Sequence, residues 1–238
     1  MKIVNYTSLV LGLIALSDSA CATITINGQF GQAFAVNGTT TMPNGTLWAL
    51  IVDGGDSVLP GMNVNSSLAQ TAASGAAGVT LINTTFSGKS FTLGTLFGTD
   101  TVFAMGKIDS LVSGAAGGAA PALNLTLGVN GLVTGRNYGF YYFPGLTFTT
   151  TSATYTVGSS VGGINSALAD SGAGTSGMVI PSDGATVTQG VSTSAGGAFG
   201  GSTPDSSFKA VALNAVPEPS AILLGAIGAL GLLRRRRN

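Results

Sequence analysis

The sequence predicts an all-β protein, a single β-sandwich-like domain with Gly/Ser/Ala-rich loops. Three observations predict it. Apolar residues recur mostly at every second position, the period of a half-buried strand. Gly, Asn, Asp or Ser bounds the alternating runs. The chain is 45% hydrophobic and only 8% charged, with a formal net charge of +0. Disorder of the common kind combines low hydrophobicity with high net charge, so this chain is expected to fold. Gly supplies 37 of the 238 residues, about double its ordinary share of about 7%. The expected surface is solvated by hydroxyls and amides, not by ions.

The domain is expected over residues 23–215, between two special ends. The front end, "MKIVNYTSLVLGLIALSDSACAT", carries Lys2, an apolar stretch from Ser8 to Leu16, then small residues. Ala20-Cys21-Ala22 fits the A-x-A cleavage pattern of a secretory signal peptide over residues 1–22, with Ala20 and Ala22 as the small residues read at the cut. Acylation of Cys21 would want an apolar residue where Asp18 and Ser19 stand. Cleavage after Ala22 removes the only cysteine, so the exported chain would hold by packing alone.

Through the body, "TITI" at Thr23–Ile26 alternates. Trp48, Leu50 and Val52 share one face, as do Leu123, Leu125, Leu127 and Val129. Val79 and Leu81, Phe91 and Leu93, and Val211 and Leu213 repeat the pattern, and the last pair marks a closing strand. The spacing suits a sandwich or barrel with one core. "KIDSLVSGAAGG" is a short helix candidate capped by Asp109 or Ser110, and "SSLAQTAASGAAG" is a second. Ser113–Ala120, Asp170–Gly177 and Gly190–Asp205 read as loops, the last as a flexible linker.

The charges exclude one class of partner. Between the two ends lie four basic residues, Lys89, Lys107, Arg136 and Lys209, against seven acidic ones. Such a body lacks the basic patch that neutralises phosphates, which argues against nucleic acid. Catalytic motifs are incomplete. "GSSVG" at Gly158–Gly162 matches a nucleophile elbow centred on Ser160, but the chain has no histidine to serve as base, so a Gly/Ser turn is expected. "GAGTSG" at Gly172–Gly177 matches G-x-G-x-x-G, but Pro181 follows too soon for the helix that motif needs. No catalytic residue and no cofactor is expected. An enzyme using two carboxylates would need them in one cleft, about 5–10 Å apart.

Two stretches are candidate sites. "VDGGDS" sets Asp53 and Asp56 three apart, a calcium candidate by its oxygen ligands. The spacing fits no EF-hand, and Asp-Gly after an alternating strand is a hairpin signal. "NYGFYYFPG" sets Phe140, Tyr141, Tyr142 and Phe143 in a row, so one pair faces each side of a strand. A central strand covered on both faces accounts for the run. The alternative is a carbohydrate-binding module that stacks sugars on Trp48, Tyr141 and Tyr142. Asn37, Asn44, Asn65, Asn83 and Asn124 each begin N-x-[ST] and indicate exposed turns.

The tail spans residues 216–238. Pro217-Glu218-Pro219 precedes 14 uncharged residues, Ser220–Leu233, and then Arg234, Arg235, Arg236 and Arg237. As a helix the run is about 21 Å long, against a hydrocarbon core of about 30 Å. The arginines favour the cytoplasmic face and stop transfer. These three parts, in this order at the C-terminus, resemble a PEP-CTERM sorting signal. That resemblance implies that Pro217, Glu218 and Pro219 are read by exosortase, a membrane-embedded protease-like enzyme, in a bacterium of Gram-negative type making exopolysaccharide. It implies export through the secretion machinery, transient retention in the inner membrane by a hydrophobic sorting helix, and arrival at the cell surface or outside it. It says nothing of residues 23–215. The expected function is that of a non-enzymatic surface protein associated with exopolysaccharide or extracellular matrix.

Overall fold

The structure, a computed structural model, describes residues 22–62, 67–69, 86–114, 116–165, 167–168, 175–191 and 209–213. The signal segment, the Val79–Leu81 run, nearly all of the second helix candidate, most of the linker and the tail lie outside them. In chain order the strands are β1 (Thr23–Phe30), β2 (Thr46–Val52), β3 (Ser90–Phe91), β4 (Leu96–Phe97), β5 (Asp100–Lys107) and β6 (Ala122–Thr126). There follow β7 (Tyr138–Thr147), β8 (Tyr155–Thr156), β9 (Ser160–Ile164), β10 (Ala167–Leu168), β11 (Thr175–Ser176), β12 (Thr186–Val191) and β13 (Val211–Ala212). A short α-helix, α1 (Ser110–Ser113), is started by Asp109, whose side chain accepts from the Leu111 N–H, and ended by Gly114 at φ 73°. The all-β expectation therefore holds.

Two main sheets carry the fold. One has the order β11-β10-β12-β1-β6 and the other β13-β9-β7-β2-β5-β4, while β3 and β8 make a small ribbon. In the first sheet β1 lies between β6, antiparallel, and β12, parallel, with Thr25 opposite both Asn124 and Thr186. The alternation read from the sequence sets its faces. Ile24, Ile26 and Phe30 turn inward and are buried. The outer face shows Thr23, Thr25, Asn27, Asn124, Thr126, Thr186 and Thr188, and β1, β6 and β12 contain no charged residue.

The second sheet is buried on both faces. Every residue of β2 and the first six of β7 are buried. Trp48, Leu50, Val52, Tyr138, Phe140 and Tyr142 pack with Ile24, Ile26, Phe30 and Leu125 of the first sheet. Leu47, Ala49, Ile51, Tyr141 and Phe143 pack on the other side with Leu59, Met62, Leu68, Phe86, Phe91 and Phe97. The sequence pattern predicts one core, and the structure has two, on opposite faces of one sheet. The reason lies in "TLWALIV" and "YGFYYF". Each reads as an alternating face, but both parities are apolar, as in any strand covered on both sides.

Smaller departures have local causes. Asp53-Gly54 does not turn a hairpin, because β2 pairs with β5 and β7, not with the next strand in sequence. Leu93 does not share the burial of Phe91 and is 42% exposed, since β3 ends at Phe91 and a turn follows. The closing strand shrinks to two residues, Val211 and Ala212, paired with β9. Val211 and Leu213 still share one core.

Candidate functional site

The aromatic run is core. Phe140, Tyr141, Tyr142 and Phe143 are each at most 1% exposed and Trp48 is 5% exposed. The polar tips have found partners inside. Tyr142 Oη donates to the Phe34 carbonyl at 2.6 Å, Tyr141 Oη to the Pro60 carbonyl at 3.0 Å, and Trp48 Nε1 to the Lys107 carbonyl at 2.9 Å. Burial holds the hydroxyl pKa of both tyrosines far above its ordinary value, with the nearby Asp100 adding to the effect at Tyr141. The Phe140 ring stacks on Phe30 at 4.0 Å between centroids. No face of Trp48, Tyr141 or Tyr142 is open to a sugar ring, and this corrects the stacking-platform alternative. The hydrophobic area of these rings goes to the two cores.

Ser160 opens β9, opposite Ala212 of β13, and does not stand in a turn. The glycines after it make room for aromatic rings. A Cβ on Gly162 would lie 2.0 Å from Tyr142 Cζ, and one on Gly163 2.9 Å from Tyr141 Cδ1. Those two tyrosines face the two glycines across the β7–β9 ladder. The G-x-S-x-G match thus reflects strand packing. Of the G-x-G-x-x-G match, Gly172–Gly174 lie outside the described residues, and Thr175 and Ser176 form β11.

The acidic pair gains a member. Asp53 follows β2 and Asp100 opens β5, and the pairing of Val52 with Thr101 brings these strand ends together. Asp56 comes from the bend that follows β2. Carboxylate oxygens of Asp53, Asp56 and Asp100 all lie within 4.8 Å of one another. Asp53 is 4% and Asp100 5% exposed, while Asp56 is open to solvent. The backbone of the turn supplies the hydrogen bonds. Gly54 N–H donates to Asp100 Oδ1, Gly55 N–H to Asp53 Oδ1 and Val58 N–H to Asp56 Oδ1, and Thr99 Oγ1 donates to Asp56 Oδ2. Gly55 is required at its position. It has φ 121°, and a Cβ there would meet Arg136 Nη1 at 2.1 Å.

Burial, above all, pushes the Asp100 carboxyl up to about 7. The Gly54 N–H works against that rise, and the charges of Asp56 and Asp53 add to it. Asp56 is held below the usual carboxylate range by the Val58 N–H. Among the described residues the ion pair present is Lys107–Asp109 at 3.1 Å, so no cation is paired with the cluster. Sequence reasoning missed Asp100 because no local motif joins it to "VDGGDS". Only the β2–β5 pairing does. Three such carboxylates have the oxygen chemistry of a calcium ligand set, but their protein donors already account for the geometry as a self-held turn. Their oxygens lie closer together than the separation of about 5–10 Å expected of two carboxylates flanking a scissile bond, and two of the three are buried.

Asn37 and Asn44 stand in turns, as expected: Asn37 Oδ1 accepts from the Thr39 and Thr40 N–H groups, and Asn44 Oδ1 from Ser110 N–H. Asn124 instead lies on β6 and accepts from Thr25 Oγ1. Asn65 and Asn83 lie outside the described residues, as do Ala20, Pro217, Glu218, Pro219 and Arg234–Arg237.

The described residues thus form a charge-poor, β-rich body. Comparison with protein families identifies one segment. The model of the PEP-CTERM protein-sorting motif matches residues 215–237. No curated protein and no solved structure matches the chain. The tail is a PEP-CTERM sorting motif, and it implies processing by an exosortase, a membrane enzyme, and export to the cell surface. Among the described residues no helix is long and apolar enough to cross a membrane.

Proposed function

We propose that this protein is a non-enzymatic component of the cell surface, associated there with exopolysaccharide or extracellular matrix. The sorting motif at residues 215–237 carries the reading, because it assigns the chain a surface destination. In the proposed route, a signal peptide ending at Ala22 opens export, and the segment from Ser220 to Leu233 halts in the inner membrane with Arg234–Arg237 on the cytoplasmic side. Pro217 and Pro219 keep the chain extended, which presents Glu218 to the exosortase just outside the bilayer.

Association with a matrix draws support from the outer face of the five-stranded sheet. It offers hydroxyls and amides and no charge, a surface that exchanges hydrogen bonds with a neutral or acidic polysaccharide without ionic repulsion. The lack of histidine and the burial of Asp53 and Asp100 support the non-enzymatic part.

The intact mass of the protein recovered from the native surface should show loss of residues 1–22 and of Arg234–Arg237. Replacing Pro217, Glu218 and Pro219 by alanine should leave an unprocessed form in the inner membrane. If that variant reaches the surface with the same mass as the parent, the segment is only a linker and the sorting route is wrong. Matrix association is read separately. Thr186→Glu with Thr188→Glu should at least halve the fraction retained on matrix without altering surface delivery, and unchanged retention would reject the proposed face.

A further inference from the structure

We propose that the outer edge of β6 is a self-association site, at which β6 of a second copy pairs antiparallel about a twofold axis through Asn124. The two five-stranded sheets then join into one. The inference starts from the β1–β6 ladder. Gly28 N–H donates to the Pro121 carbonyl and Leu127 N–H to the Ala22 carbonyl. With the register between them, the backbone groups of Leu123 and Leu125 also face β1, because alternate residues of an antiparallel strand turn opposite ways. The N–H and C=O groups of Ala122, Asn124 and Thr126 therefore point away from β1. Among the described residues no other strand lies there, since β6 ends its sheet. Ala122 and Asn124 are exposed.

A free edge normally carries a device against pairing, such as brevity, a charge, a proline or a cover. The other sheet ends have one. β4, β11 and β13 are two residues long. Where β5 continues past β4, the Trp48 indole N–H occupies the Lys107 carbonyl and Lys107 adds a charge. Among the described residues β6 has none of these. It is five residues long, and residues 110–135 contain no charged side chain. Pro121 does not protect it, because its ring nitrogen, like its carbonyl, faces β1.

The same features select the partner. An antiparallel pair about Asn124 sets Asn124 opposite its own copy and Ala122 opposite Thr126 of the partner. Each outward N–H then meets an outward C=O of the other copy. Such an isologous contact closes on itself and does not propagate. It brings no like charges together, and small side chains on both sides of the axis leave the backbones free to approach.

The test uses the full chain in mild detergent, followed by sedimentation velocity over a concentration series. The parent should sediment as a dimer. Asn124→Pro removes the central outward donor while leaving the β1 ladder intact, as an edge strand allows. It should raise the dimer Kd at least about tenfold, with the thermal midpoint nearly unchanged. Asn124→Lys places two ammonium groups across the axis and should also give monomer. Mixing it with Asn124→Glu should restore a dimer containing one of each. A monomeric parent overturns the proposal. So does a dimer whose Kd is unmoved by both Asn124→Pro and Asn124→Lys, since it must use another surface, the tail included.

Discussion

Asp100 shows what burial does to one carboxyl group. In the unfolded chain it ionises near its ordinary value of 3.8, and in the folded protein only near 7. A raised folded pKa means that the native state holds a proton the unfolded state has lost. The stability this gives is complete below about pH 4 and is lost as pH rises through 7. Asp56 and Asp109 are shifted the other way, so their contributions fade only in acid and leave the window from pH 4 to 8 to Asp100. Thermal unfolding should therefore move down by about 5 °C from pH 4.5 to 8. Asp100→Asn keeps an acceptor for the Gly54 N–H and should flatten that slope. A midpoint that rises over the same interval would contradict the assignment.

Strand pairing explains which parts of the fold could be read in advance. β1 shows one apolar parity and one polar parity, so its burial follows from "TITI" directly. β2 and β7 show apolar residues at both parities. Their strand character was legible, and so was the double coverage of Phe140–Phe143. The second core beneath them was not, because its other half comes from short segments near Leu59, Phe86, Phe91 and Phe97 that have little periodicity of their own. β9 is the hardest case. "SVGGI" looks like a turn until Tyr141 and Tyr142 are placed across from the two glycines. A methyl group at Gly162 would enter the Tyr142 ring, which cannot retreat while Oη is held by Phe34. Gly162→Ala should cost about 3 kcal/mol, read as a drop of about 6–12 °C in Tm. The effect comes from space and not from backbone conformation, so pairing Gly162→Ala with Tyr142→Leu should recover part of it. No recovery would place the clash elsewhere.

Among the described residues, apolar packing holds the fold with little contribution from charge. With Lys107–Asp109 exposed and two apolar cores, screening has little to act on. Raising sodium chloride from about 0.05 to 0.5 M should shift the melting temperature by less than about 2 °C. A larger fall would reveal an ionic contribution that the described residues lack. The acidic cluster was partly legible at this scale, since Asp53 and Asp56 stand three apart in sequence but Asp100 joins them only through tertiary pairing. The position of β1 has a last consequence. Its parallel neighbour, β12, begins at Thr186, far along the chain, so Thr25 must wait for Thr186 before the first sheet can form. Contacts so distant in sequence form late. On the proposed route, with the N-terminus crossing the membrane first, β1 gains β6 about halfway but keeps its other edge unpaired until β12 has emerged. It would need shielding from neighbouring copies during transit. If the tail pauses the chain at the membrane as proposed, it keeps that end tethered while the two termini of the domain find each other.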